Sequence, residues 1–331
     1  MKKDTIMGIW MFICIGITFV IAGSALGGFT TVTYAAPASG NYQIGGGTLD
    51  EPVKNLEIDW TAGKVHIAYH DKDTVEFSET AKKAISEDKQ MCWRVNGDTL
   101  EIRYEKPGFK LFNFSSPEKE LTVTLPEGTV LKDAKISATS ADVDIPSLEA
   151  ASVRLDTTSG DIAATLAAET IAVDVTSGDV AMTITEDAAD LSVDATSGNI
   201  YVEGKNADKV SLDATSGNLD ASFGDVSTLR AETTSGKIGA VLGKTKEIRT
   251  NSTSGSVNIA CDSLETVTVD TTSGDVTLSL PTEPGFTAKL DTSSGDIGFS
   301  QALAKQGESY VCGDGSWRVT VDTTSGDIQL K

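Results

Sequence analysis

Histidine, cysteine and positive charge are all scarce in this chain, and each shortage closes off a class of function. Its 331 residues include 2 histidines and 4 cysteines. His66 and His70 have no cysteine nearby in sequence and no CxxC occurs, so the usual zinc spacings are absent. No nucleophile elbow, P-loop or HExxH motif is present either. The expectation is a protein that is not an enzyme and needs no cofactor. The 27 basic residues face 48 acidic ones, a net charge of −21. Such a field repels nucleic acid and anionic membrane surfaces, favours solubility and attracts cations or basic partners.

Aromatic residues are also few, at 6%. From Ser115 to Gly285 only Tyr201 and Phe223 occur, so a core there must be filled by Ala, Val, Ile and Leu, which suits a thin coil. Cys14 lies in a hydrophobic N-terminal segment, leaving Cys92, Cys261 and Cys312 and hence at most one intramolecular disulfide. Cys261 alternates with Val257 and Ile259 and reads as a small core residue. A bridge from Cys92 to Cys312 would need the two ends of the folded part to meet, which a long repeat array opposes.

What the chain has in abundance is one phrase. Asp156-Thr157-Thr158-Ser159-Gly160-Asp161-Ile162 recurs, with variants, around Gly178, Gly198, Gly217, Gly236, Gly255, Gly274, Gly295 and Gly326. A further copy has Ala141 in place of glycine. Starting from Ala141, the spacings are 19, 18, 20, 19, 19, 19, 19, 21 and 31 residues. A fixed period of this length is the signature of a repeat array. Within a unit, Leu191, Val193 and Ala195 alternate with polar residues, and after the turn Ile200 and Val202 do the same. Period-2 alternation on both sides of a glycine means two short, half-buried strands per unit.

Uniform columns separate a coil from a meander. In a coil, equivalent residues stack ~4.8 Å apart and like residues form ladders. A meander gives no reason for such uniformity. We therefore expect an all-β fold, a single-stranded right-handed β-helix (β-solenoid) of about 19-residue coils, with the turn glycine supplying a positive φ. The long last spacing reads as an insertion over residues 300–317, a C-terminal cap or a functional loop.

At the N-terminus, Lys2 and Lys3 precede an uncharged stretch over residues 6–29. Its 24 residues would span ~36 Å as a helix, against a bilayer core of about 30 Å. The expectation is a signal anchor at the cell membrane, single pass, with an extracellular C-terminal domain, or else a signal peptide and secretion after cleavage. We divide the chain into an anchor or signal peptide (1–36), a linker (37–52), an irregular N-terminal β region and cap (53–130) and a regular solenoid with a C-terminal cap (131–331). Within 53–130, the segment from Leu56 to Ile67 already matches the repeat, and Trp93 to Tyr104 reads as two strands about an Asn-Gly turn. His66 alternates outward beside Val65 and Ile67.

Two acidic columns flank the turn. Four residues before each glycine stand Asp156, Asp174, Asp194, Asp213, Glu232, Asn251, Asp270, Asp291 and Asp322. One residue after stand Asp161, Asp179, Asn199, Asn218, Lys237, Ser256, Asp275, Asp296 and Asp327. Stacked carboxylates repel by about 1 kcal/mol per neighbour in water. One reading is a ladder of oxygen ligands for Ca²⁺, with Asp156, Asp161, Asp174, Asp179, Asp270, Asp275, Asp291 and Asp296 as candidates. The other is a solvated face whose Asp and Asn side chains bond to the turn's own amides. The nine-residue calcium-binding repeat of other solenoids is absent.

The strand Leu121-Thr122-Val123-Thr124-Leu125-Pro126, followed by the tandem Thr-Ser-Gly-Asp coils and the closing Gly313-Asp314-Gly315-Ser316, resembles the bacterial DUF4097 family, whose members carry an adhesin label. The similarity covers about residues 53–331. It implies a β-solenoid at the cell envelope, often behind a membrane segment, and brings no catalytic residues. The function expected is a non-catalytic surface protein, an adhesin whose partner is an envelope protein or glycan. The alternatives are a regulatory or envelope-stress accessory protein that binds another membrane protein through residues 53–126, and a polysaccharide-active enzyme.

Overall fold

A computed structural model of the chain describes residues 41–86, 89–106 and 118–331. The expected anchor over 6–29, Cys14 and the aromatic residues Phe109, Phe112 and Phe114 lie outside the described residues. Among the described residues there is no α-helix, and none is long and apolar enough to cross a membrane. The fold is all-β and solenoid-like.

The N-terminal part holds β1 (Gln43–Ile44), β2 (Gly47–Leu49), β3 (Asn55–His70), β4 (Val75–Ala81), β5 (Cys92–Asn96), β6 (Thr99–Arg103) and β7 (Lys119–Pro126). The array follows with β8 (Leu131–Ser159), β9 (Ile162–Ser177), β10 (Val180–Ile184), β11 (Ala188–Ser197), β12 (Ile200–Gly204) and β13 (Ala207–Ser216). It continues through β14 (Leu219–Phe223), β15 (Val226–Ser235), β16 (Ile238–Ser254), β17 (Val257–Ser263), β18 (Thr266–Ser273) and β19 (Val276–Ser279). The chain closes with β20 (Gly285–Ser294), β21 (Ile297–Phe299), β22 (Ala304–Gln306), β23 (Ser309–Gly313), β24 (Trp317–Ser325) and β25 (Ile328–Leu330).

Pairing between coils is parallel and in register. On one sheet Asp174, Asp194, Asp213, Glu232, Asn251 and Asp270 stand side by side on successive strands. On the other, Ile162, Val180, Ile200, Leu219, Ile238, Val257 and Val276 do so. The alternation decides which residues face in. Leu191, Val193, Ala195, Ile200 and Val202 are all at or below 7% exposure, while Asp194 and Tyr201 between them are exposed. Small aliphatic side chains fill the thin interior without needing aromatics.

Both ends of the stack depart from chain order. At the C-terminal end, β24 pairs with β18 on one side and β20 on the other, and β25 lies between β19 and β21 in the same way. The last coil in sequence is thus inserted one place in from the end. The hairpin of β22 and β23, which lies in the long last spacing, covers the outer edge of β20 in antiparallel fashion. At the N-terminal end, β3 lies between β8 and the pair β6 and β7. The first coil in sequence is again inset. Outside it β5 and β1 extend one sheet and β4 and β2 the other, all antiparallel.

Part of the expected linker is corrected by this arrangement. Residues 43–49 contribute β1 and β2 rather than free tether. Glycine is present there for packing: a Cβ on Gly47 would lie 2.8 Å from the Phe77 ring and 2.9 Å from Trp93. Those two rings meet edge to face, with centroids 4.8 Å apart. The Asn-Gly turn expected at Asn96 and Gly97 joins β5 to β6, with Gly97 at φ 59°. Cys92, Cys261 and Cys312 are all buried free thiols.

Candidate functional site: the glycine edge

Every repeat phrase brings its glycine to one edge of the molecule. Backbone hydrogen bonds lock the edge coil to coil, as in Gly198 N–H to Ser216 O at 3.0 Å and Ile200 N–H to Asn218 O at 2.8 Å. This closeness, more than φ, explains the glycine. Gly217 has φ 150°, but Gly236 lies outside the left-handed range. In both, a Cβ would press on the carbonyl oxygen of the preceding coil's glycine, at 1.8 and 1.9 Å. The buried Ala141 takes its place in this column between Gly63 and Gly160.

The acidic column after the glycine has a structural use. The amide of Asp161 donates to Asp142 Oδ1 at 3.0 Å, that of Asp179 to Asp161 at 2.9 Å, and that of Asn199 to Asp179 at 2.7 Å. The series continues through Asn199 and Asn218 and stops at Lys237, whose ammonium has no acceptor. These bonds run to the next coil's amide, not to the turn's own as the solvated-face reading supposed. The same device recurs at the opposite corner, where Asn206 and Asp225 accept from the amides of Asp225 and Lys244.

Chain order also misplaced the last rungs. Asp322 stands between Asp270 and Asp291, and Asp327 between Asp275 and Asp296. Of the candidate cation ligands, Asp161 and Asp179 are engaged with amides, as is Asp275 with that of Asp327. Asp296 receives no such bond but donates its own amide to Asp327 Oδ1 at 2.9 Å. Asp156 and Asp174 share Arg154, which contacts both. Asp270 and Asp291 are exposed. Among the described residues no three His, Cys, Asp or Glu side chains gather to hold an ion.

The first acidic column carries electrostatic strain. Loss of water between the coils pushes Asp194 upward from its ordinary pKa, and the neighbouring Asp174 and Asp213 add to it. Asp213 is raised by the same desolvation and by Glu232. Asp156 is raised by burial too, although Arg154 offsets part of the effect. Arg230 relieves Glu232 with an ion pair at 2.6 Å.

Between these columns run the hydroxyls. The inner one of each threonine pair is buried: Thr157, Thr271 and Thr323 are at most 7% exposed, with hydroxyls that find no partner. Val175, Ala195 and Ala214 occupy the same column. The outer one is exposed at Thr158, Thr176, Thr196, Thr215, Thr234, Thr253, Thr272 and Thr324, whereas Thr139 of the Ala141 copy is half-buried and the Gly295 copy has the exposed Ser293. The adjacent serines are exposed as well and stack from Ser159 to Ser273.

The sequence matches the Toastrack DUF4097 family over residues 53–265 and again over 166–331. The chain belongs to that family. No curated protein matches it. Among solved structures, a candidate cell adhesion protein from Clostridium sporogenes is 14% identical, covering 88% of this chain and 97% of that one, with a TM-score of 0.20. A candidate lipid binding protein from Parabacteroides distasonis is 13% identical over 91% and 100%, with a TM-score of 0.43. A candidate adhesin from Bacteroides fragilis is 13% identical over 90% and 100%, with a TM-score of 0.30.

Two polar clusters in this DUF4097 chain escaped sequence reasoning, and both lie in the N-terminal cap. In one, Arg94 grips Glu101 through two bonds of 2.8 and 2.9 Å, and Tyr42 and Asn96 bond to the same carboxylate. In the other, Glu79 and Lys119 form an ion pair with no exposed side-chain surface. Neither repeats, so the array's periodicity gave no signal. His66, expected to face outward, is half-buried and bonds Asp144 at 3.0 Å.

Proposed function

We propose that this chain is an exported, non-catalytic surface protein of the cell envelope that uses its glycine edge to adhere to an envelope protein or glycan. Residues 6–29 would hold it in the cell membrane, or be cleaved to release it. The same reading includes a right-handed coil, the sense that parallel strand connections overwhelmingly take. One observation carries it. The outer threonine is exposed in coil after coil, and the coil-to-coil bonds described above make no use of its hydroxyl. A periodic row of hydroxyls beside carboxylates matches a ligand that is itself extended and polar, such as a glycan chain or a basic polypeptide.

The test is glycan-array and basic-peptide binding by the purified chain lacking residues 1–36, beside the triple variant Thr196→Val, Thr215→Val, Thr234→Val. Binding should fall at least tenfold in the variant while its melting temperature stays unchanged. Equal binding by the two proteins would sink the assignment to this edge. Ca²⁺ remains part of the proposal as a ligand of the exposed acidic rungs, and calorimetry that detects no heat at millimolar calcium removes it.

A further inference from the structure

The buried pair in the N-terminal cap is arranged for chemistry with itself. Glu79 is on β4 and Lys119 on the antiparallel neighbour β7, where Ala81 faces Lys119 and Glu79 faces Leu121. Their side chains are in direct contact and both are completely shielded from water. The Lys119 ammonium sits 4.1 Å from the centre of the Tyr104 ring and 4.7 Å from that of Trp60, and donates to Tyr104 O at 2.9 Å. Glu79 Oε1 accepts the Met91 amide at 2.8 Å, which orients the carboxyl and leaves Oε2 turned to the amine.

We propose that Lys119 and Glu79 condense to an intramolecular amide, a covalent staple across the N-terminal cap. Two full charges in so dry a place are costly, and transfer of one proton from Nζ to Oε2 leaves a neutral amine beside a neutral acid. Burial drives both groups that way, raising Glu79 and lowering Lys119. The amine lone pair then attacks Glu79 Cδ. The Nζ–Cδ bond forms and the bond from Cδ to the hydroxyl oxygen breaks. One proton passes from Nζ to the departing hydroxyl, which Nζ directly contacts, and one water is released with no change of oxidation state. Fixed contact supplies the effective concentration that such a condensation lacks between free partners. The new bond closes residues 79–119 into a ring that contains the β5–β6 hairpin.

The readout is peptide mass spectrometry on the full chain, purified folded and then denatured and digested. The wild type should yield a branched peptide joining residues 79 and 119, one water lighter than the sum of its parts, and a lysine-specific protease should not cut after Lys119. Lys119→Arg, which keeps a cation beside Glu79 but has no amine able to condense, should yield the two peptides separate and at full mass. Separate, unmodified peptides from the wild type would overturn the staple and leave an ordinary buried ion pair.

Discussion

At the scale of a residue, the glycine of the repeat phrase is set by a neighbour in another coil. Gly217 and Gly97 test this, because they differ in surroundings. A Cβ on Gly217 would fall 1.8 Å from Gly198 O, backbone that cannot yield without parting the coils, whereas nothing lies within 4 Å of one on Gly97. Gly97→Ala should cost only the left-handed strain of φ 59°, about 1–2 kcal/mol. Gly217→Ala should cost more, about 2–4 kcal/mol, as over-packing does. Urea denaturation of the two variants compares them directly, and equal losses would mean that φ alone governs the corner. The aspartates of the phrase divide in the same local manner: those after the glycine cap the next coil's amides, and those before it crowd one another.

At the scale of an element, the inset coils matter most. A solenoid whose last coil lay last would lose one interface when that coil was removed. Here β24 and β25 each have partners on both sides, so deleting residues 315–331 breaks two interfaces and bares the edges of β18 and β19. The truncated chain should show a markedly lower urea midpoint and concentration-dependent aggregation through those edges. A midpoint within error of the intact chain would contradict the order of strands described. The cap hairpin and the inset coil thus do one job together, closing a stack that would otherwise present open strands.

At the scale of the molecule, the net charge of −21 opposes compaction, and the first acidic column concentrates that cost. Asp156, Asp194 and Asp213 have raised pKa values in the folded state, so the folded protein holds their protons more tightly than the unfolded chain does. Their contribution is fully favourable below the unfolded carboxylate pKa and is lost as pH rises through the higher folded values. Asp194→Asn should therefore stabilise the protein at neutral pH and reduce the stability gained on mild acidification. Thermal melts of both proteins between neutral pH and the carboxylate range measure this. A variant less stable than the wild type at neutral pH would show that Asp194 contributes more through its Ser192 contact than it costs by repulsion.

How much was legible follows from the same particulars. The period, the in-and-out alternation of Leu191, Val193 and Ala195, the glycine corner and the Asn-Gly turn are local patterns, and local sterics and burial fix them in any stack. The meeting of Glu79 with Lys119 across 40 residues, the rings that enclose Gly47 and the placing of Asp322 between Asp270 and Asp291 depend on which strands become neighbours. The sequence by itself determined that this chain coils and what each rung looks like, because every copy of the phrase carries the same pairing edge. For that reason it could not say which copies pair. The tertiary structure decided that, inserting the first and last coils one place in, because non-repeating strands then pair antiparallel over the outer edges of β20, β6 and β7.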